Sequence, residues 1–88
     1  MLKIEKILDI KPYTIVCKFN NGIEKKINVT PLIQLHSHLE GIEKLKDELI
    51  FNSAKIGIFG ELYWENIITG DDNTLWNYDI SPEFIFYQ

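Results

Sequence analysis

The stretch Tyr13-Thr14-Ile15-Val16-Cys17-Lys18-Phe19-Asn20-Asn21-Gly22-Ile23-Glu24-Lys25-Lys26-Ile27-Asn28-Val29 decides how this chain folds. Tyr13, Ile15, Cys17 and Phe19 fall on one side of an extended backbone and Thr14, Val16 and Lys18 on the other, the period-two pattern of a strand with one buried face. Asn20-Asn21-Gly22 permits two hairpin registers. A two-residue turn sets Phe19 across from Glu24 and Cys17 across from Lys26, apolar against charged. A three-residue loop with Gly22 in the left-handed conformation sets Phe19 opposite Ile23, Ile15 opposite Ile27 and Tyr13 opposite Val29, so the hydrophobic pattern selects the second. Gly22 is there because a side chain is disfavoured at positive φ.

Upstream, Leu2, Ile4, Leu8 and Ile10 share one parity, broken by Lys6, and predict a first strand that Lys11-Pro12 ends. Downstream, Thr30-Pro31 reads as an N-cap followed by proline at the first helical position, where its missing N–H is not needed. Ser37 and Glu40 have capping-box spacing and lead into Leu39, Ile42, Leu45 and Leu49, which predicts the principal helix, ending near Ile50. Ala54 to Phe59 and Leu62 to Ile68 read as further strand on either side of Gly60, as a hairpin or as one long bulged strand. Thr69 to Thr74 is polar and turn-rich and reads as an exposed loop. Ser81-Pro82-Glu83 repeats the helix-start chemistry and predicts a short C-terminal helix that carries Phe84, Ile85 and Tyr87 back against the sheet. The expected fold is one α+β domain over residues 1–88: a small antiparallel sheet from the N-terminal hairpin and the C-terminal strands, with one or two short helices on one face.

Composition narrows the function. With 45% apolar and 25% charged residues the chain has the balance of a folded globule. A single cysteine, Cys17, rules out an internal disulfide framework, and the Met1 to Lys6 segment lacks the apolar run of a secretion signal, which points to the cytoplasm. No apolar run approaches the ~20 residues that span a bilayer. All nine cations are lysines and the net charge is -4, so nucleic acid is a poor ligand for the isolated chain and a basic protein a better partner.

The chemistry-bearing residues are sparse. His36 and His38 are the only histidine pair, but at a junction between helical pieces they lack an obvious third ligand, and no metal is assigned. Cys17 shares its parity with Ile15 and Phe19 and reads as a core thiol rather than a nucleophile. Asp71-Asp72-Asn73 with Asp79 lacks the spacing of a calcium loop. No phosphate-binding glycine loop or serine elbow occurs, and neither catalytic residues nor a cofactor is assigned. The aromatics are more telling: Tyr63, Trp64, Trp76, Tyr78, Phe84, Phe86 and Tyr87 all lie in the last third. A small core cannot easily bury all of them. Tyr63, Trp76, Tyr78, Phe84, Phe86 and Tyr87 are therefore the candidate interaction surface.

Four stations in order, Phe19 to Gly22, Pro31-Leu32, Phe59-Gly60-Glu61-Leu62-Tyr63-Trp64 and Asp79-Ile80-Ser81-Pro82-Glu83, carry a resemblance. The chain resembles a family of small bacterial proteins grouped as domain of unknown function 2442. Its members look like a hairpin ending in Phe-x-(Asp/Asn)-Gly, a Pro-Leu segment, a short helix, then Phe-Gly-x-x-x-Trp and Asp-(Ile/Leu)-x-Pro-(Glu/Asp). The resemblance marks Gly22, Pro31, Trp64, Asp79 and Pro82 as structural motif residues, with Ile67 to Tyr78 as an insertion. It implies no enzymatic activity and defines no site. Family members are often encoded beside another very short protein, as toxin and antitoxin are, which implies a small nearby-encoded partner. The expectation is a non-catalytic interaction module, antitoxin-like, with a homodimer also open. The alternative is a regulatory subunit that contacts DNA only as part of a dimer or complex.

Overall fold

A computed structural model describes all 88 residues. The hairpin closes in the three-residue register: Phe19 N–H donates to the Ile23 carbonyl, Gly22 N–H donates to the Phe19 carbonyl, and Gly22 has φ of 85°. Strands β2 (Thr14–Phe19) and β3 (Glu24–Asn28) then pair with Ile15 opposite Ile27 and Cys17 opposite Lys25. Ile15, Cys17 and Phe19 are buried, and Tyr13 is half-buried with its ring edge-on to Phe51.

Strand β1 (Ile4–Lys11) pairs with β2 but does not alternate strictly. Bulges between Ile4 and Lys6 and between Ile7 and Asp9 each insert an extra residue, which flips the parity of the residues beyond it. Ile4, Ile7 and Ile10 thereby face Phe19, Cys17 and Ile15, while Leu8, expected inside, is 41% exposed.

Helix α1 (Thr30–Leu35) begins one residue earlier than the cap reading requires. Val29 is the N-cap, so Thr30 and Pro31 occupy the first turn, and the Asn28 side chain accepts from the Thr30 N–H. The expected helix from Ser37 to Ile50 does not form. It is replaced by turns, a 3₁₀ helix (Ile42–Lys46) and a single α-turn, α2 (Glu48–Phe51). Two residues break it. Gly41 has φ of 102° and lies against the backbone of Ile67, where an added Cβ would run into the Ile67 carbonyl oxygen. Asp47 is extended, and its carboxylate accepts from the Leu49 and Ile50 N–H groups, which starts a new helix rather than continuing the old one. Phe51 becomes the inward residue and Leu49 is left 83% exposed.

On either side of Gly60 the chain is a hairpin. Strand β4 (Lys55–Ile56) pairs with β5 (Leu62–Thr69), and β5 pairs with β6 (Leu75–Ile80), so the C-terminal strands form their own antiparallel sheet in the order β4-β5-β6 beside β1-β2-β3. The fold is α+β as expected, with two three-stranded sheets. Ile67 to Tyr78 belongs to the β5–β6 hairpin, and the polar loop is its turn. Helix α3 (Pro82–Phe86) starts at Ser81, whose hydroxyl accepts from the Phe84 N–H 3.1 Å away. Its inward residues are Pro82, Ile85 and Phe86, not Phe84 and Tyr87. Seventeen buried apolar side chains from both sheets and the helices make one core, in which Trp64, Phe19 and Phe51 are the largest that are fully buried.

One turn is used three times. In each, the first residue's N–H donates to the carbonyl four residues on, the fourth residue's N–H donates back to the first carbonyl, and that fourth residue has positive φ. The three span Phe19 to Ile23, Gly57 to Glu61 and Gly70 to Thr74, with Gly22, Gly60 and Asn73 in the left-handed position. In the first and third, a side chain at the third position, Asn21 or Asp72, accepts from the last residue's N–H.

Candidate functional site

The nominated aromatics occupy different environments. Trp64 and Tyr78 are directly paired across β5 and β6 on the inner face. The Trp64 indole N–H donates to the Phe51 carbonyl at 2.9 Å, which satisfies its one polar atom. Tyr63 is half-buried on the outer face, between Lys55 and Asp79 in the ladder. Phe86 stacks edge-on against Phe19, with its centroid 5.2 Å away and the Lys25 ammonium over its ring, so it closes the core rather than presenting a surface. Trp76 (62% exposed), Phe84 and Tyr87 are in contact with solvent.

Strand parity explains the division within β6. Trp76, Tyr78 and Ile80 share the inner face, but the core ends at Tyr78, so Trp76 extends that face past the packed interior. It stands opposite Ile68 near the hairpin end, with its indole nitrogen close over Gly70.

Beside this face lies a groove of about 240 Å³ between α1, β6 and α3, lined by Leu32, Leu35, Tyr78, Ile80 and Phe84. One polar contact crosses it: His36 Nδ1 and the Tyr78 hydroxyl share a hydrogen bond of 2.7 Å. Burial, and secondarily the charge of Asp79, raises the Tyr78 pKa, so the ring remains a neutral phenol. Leu35 is 67% exposed at the rim, with Phe84 across from it.

The backbone along the groove is open as well. β6 is the outer strand of its sheet. The turn bond from Gly70 N–H to the Thr74 carbonyl sets the ladder, so Trp76, Tyr78 and Ile80 turn their backbone groups toward β5 and Leu75, Asn77 and Asp79 turn theirs outward. No side chain or further strand of the protein meets those outward groups.

Charge is divided along the chain. Residues 1–55 hold nine lysines and seven acidic residues, net +2, while residues 56–88 hold six acidic residues and no cation, net -6; together these give the overall -4. The second sheet is thus almost purely acidic, with Lys55 paired to Glu65 at its margin. Glu61, Asp79 and Glu83 line a shallow groove with Phe59, itself 63% exposed. Reading only the aromatics of the last third overlooks Leu35, Phe59 and Leu75 as exposed apolar residues. The absence of lysine after residue 55 is the signal that singles out this half.

The remaining candidates have structural roles. Cys17 is fully buried, and desolvation lifts its thiol pKa from 9.0 to about 11. Asp72 accepts from both the hydroxyl and the N–H of Thr74, which lowers its carboxyl pKa and fastens the turn. His38 is exposed beside His36, and no three His, Cys, Asp or Glu side chains are grouped to hold a metal ion. Of the motif residues, Gly22 makes its turn, Pro31 lies in the first turn of α1, Trp64 fills the core, Asp79 borders the groove and Pro82 opens α3. No helix is long and apolar enough to cross a membrane. Compared with known proteins, the chain matches no family model, no curated protein and no solved structure.

Proposed function

We propose that this protein is a non-catalytic interaction module that binds a small basic protein through its second sheet, as the antitoxin-like half of a two-protein pair. One observation carries the reading: exposed Phe84 and Leu35 rim an unfilled groove beside the face of β6 on which Trp76 also stands exposed, in the half of the chain that holds six acidic residues and no cation beyond Lys55. Apolar anchors ringed by charge of one sign suit a partner of opposite charge. The resemblance to domain of unknown function 2442 supports a small partner encoded nearby. The buried, unpaired thiol of Cys17 suits a reducing compartment such as the cytoplasm.

The test is capture from lysate of the native host, with the mass of each eluted protein and the size of the complex measured. A stoichiometric small basic protein is expected. Trp76→Ala and Phe84→Ala should each weaken it at least tenfold, about 1.4 kcal/mol or more, while circular dichroism and the urea midpoint stay near wild type. Variants that fold normally and retain full capture would sink the proposal. Specific DNA binding at physiological salt by a dimer of the chain, or by the captured complex, would favour the regulatory-subunit alternative.

A further inference from the structure

We propose that the outer edge of β6 takes up an extended segment of the basic partner as the next strand of the second sheet; this deepens the interaction-module reading and rests on it. Exposed sheet edges template pairing with another chain, and proteins shield the edges they do not use. Three of the four edges here are shielded. β1 carries two bulges and ends in Lys11, β3 carries Lys25 and Lys26 and is packed by α3, and β4 is only two residues long. β6 has six residues, Leu75-Trp76-Asn77-Tyr78-Asp79-Ile80, with no lysine, no proline and no extra residue of its own. Its Leu75, Asn77 and Asp79 backbone groups face outward without partners.

The two faces of an added strand would meet different chemistry, because side chains alternate. On the inner face it lies beside Trp76, Tyr78, Leu35 and Phe84 and requires apolar residues there. On the outer face it runs past Leu75, Asn77 and Asp79, with Asp71 and Asp72 at one end of β6 and Glu83 beyond the other, so the charges it meets there are all acidic and favour cations. The edge therefore selects alternating basic and apolar residues. A second copy of this chain is disfavoured, since it would bring six further acidic residues against these six.

The probe is the capped octapeptide (Lys-Val)₄, added to the full chain while backbone amide exchange is followed by NMR. Exchange should slow at least tenfold at Leu75, Asn77 and Asp79, and not at their β1 and β3 counterparts. The same peptide N-methylated at alternate residues, with its charge intact but its edge donors removed, should bind at least tenfold more weakly, and (Glu-Val)₄ should not bind. Leu75→Pro should reproduce the loss, because it removes one outward N–H and leaves the bonds to β5. Should that variant unfold, the N-methylated peptide decides. Equal binding of the methylated peptide, or protection elsewhere, overturns strand addition. No binding of (Lys-Val)₄, while Trp76→Ala and Phe84→Ala still release the native partner, overturns strand addition and leaves the interaction surface standing. A dimer of the bare chain by sedimentation, with the same three amides protected, overturns the basic partner in favour of a second copy.

Discussion

The two sheets are built alike and finished differently. Each is a three-stranded antiparallel meander whose last strand runs into a Thr-Pro or Ser-Pro helix, and each helix crosses to the other sheet: α1 reaches Tyr78 through His36, and α3 reaches β3 through Phe86. On the first sheet the crossing is sealed, with Ile85 fully buried and Phe86 locked between Phe19 and Lys25. On the second a groove remains under α1, with Leu35 and Phe84 at its rim. The same supersecondary unit thus completes a core at one end and leaves an anchoring site at the other. The charge division runs along the same line, with lysines on both edges of the first sheet and none on β5 or β6.

The second sheet also treats its two sides unequally, which predicts the largest effect. Beyond β4, the free side of β5 is covered: Thr69 N–H donates to the Glu40 carbonyl at 2.9 Å, and Gly41 presses on Ile67. A Cβ at Gly41 would meet backbone that has nowhere to go and would also sit at unfavourable φ. Gly41→Ala should destabilise the fold by about 3 kcal/mol in urea titration, far more than substitutions at Leu75 on the uncovered side. A loss below about 1 kcal/mol would mean that the Glu40–Gly41 cover is dispensable.

The central strands supply the next contrast. Each buries a side chain with a polar hydrogen, but Trp64 in β5 has a carbonyl partner, whereas Cys17 in β2 sits among apolar groups and is titratable. Its folded pKa of about 11 lies above the ordinary 9.0, so the folded state holds the proton after the unfolded chain has released it. That stability is fully present below pH 9 and is lost as pH rises toward 11. The loss should be on the order of 2 kcal/mol, and Tyr78, also raised, adds to it in the same direction. Urea midpoints at pH 8 and pH 10.5 measure it. Cys17→Ala starts less stable but should show a shallower alkaline decline, and an equal decline would remove the thiol as its source.

How much of the fold and the surface was legible depends on where the determinants lie. The β2–β3 register was readable because alternation and the turn glycine are adjacent in sequence and agree. The bulges of β1 were not, since strict alternation makes Leu8 look as suitable as Ile7, and only pairing with β2 chooses between them. The helix from Ser37 failed because Gly41 and Asp47 answer to β5 and to a new cap. A glycine inside an otherwise helical pattern was the available warning. The division of the aromatics was partly readable: parity within Leu75 to Ile80 puts Trp76 and Tyr78 on one face, but only the extent of the core shows that one is covered and the other is not. The groove depends on α1 meeting β6 and α3 across more than forty residues, as the His36–Tyr78 bond does, and no local pattern encodes that.

The smallest effect concerns the shared turn, where the sheets place different residues at the left-handed position. Gly22 and Asn73 occupy the same left-handed position, and the preceding Asn21 and Asp72 cap the same N–H. A Cβ at Gly22 would meet nothing within 4 Å, so any penalty there is purely conformational. Gly22→Ala should cost about 1 kcal/mol, and Gly22→Asn only a few tenths, because asparagine tolerates this region. The reverse change, Asn73→Gly, removes the residual strain and should stabilise the second sheet by about 0.5 kcal/mol, less the entropy a glycine adds to the unfolded chain. The pair is read as shifts in urea midpoint at unchanged slope. Opposite signs for the two exchanges would establish that the turns are energetically equivalent, so that the sheets differ in what covers their edges and not in how their hairpins close. If Asn73→Gly destabilised by about 1 kcal/mol or more, the asparagine side chain would be holding the β5–β6 hairpin in a way the first sheet does not need.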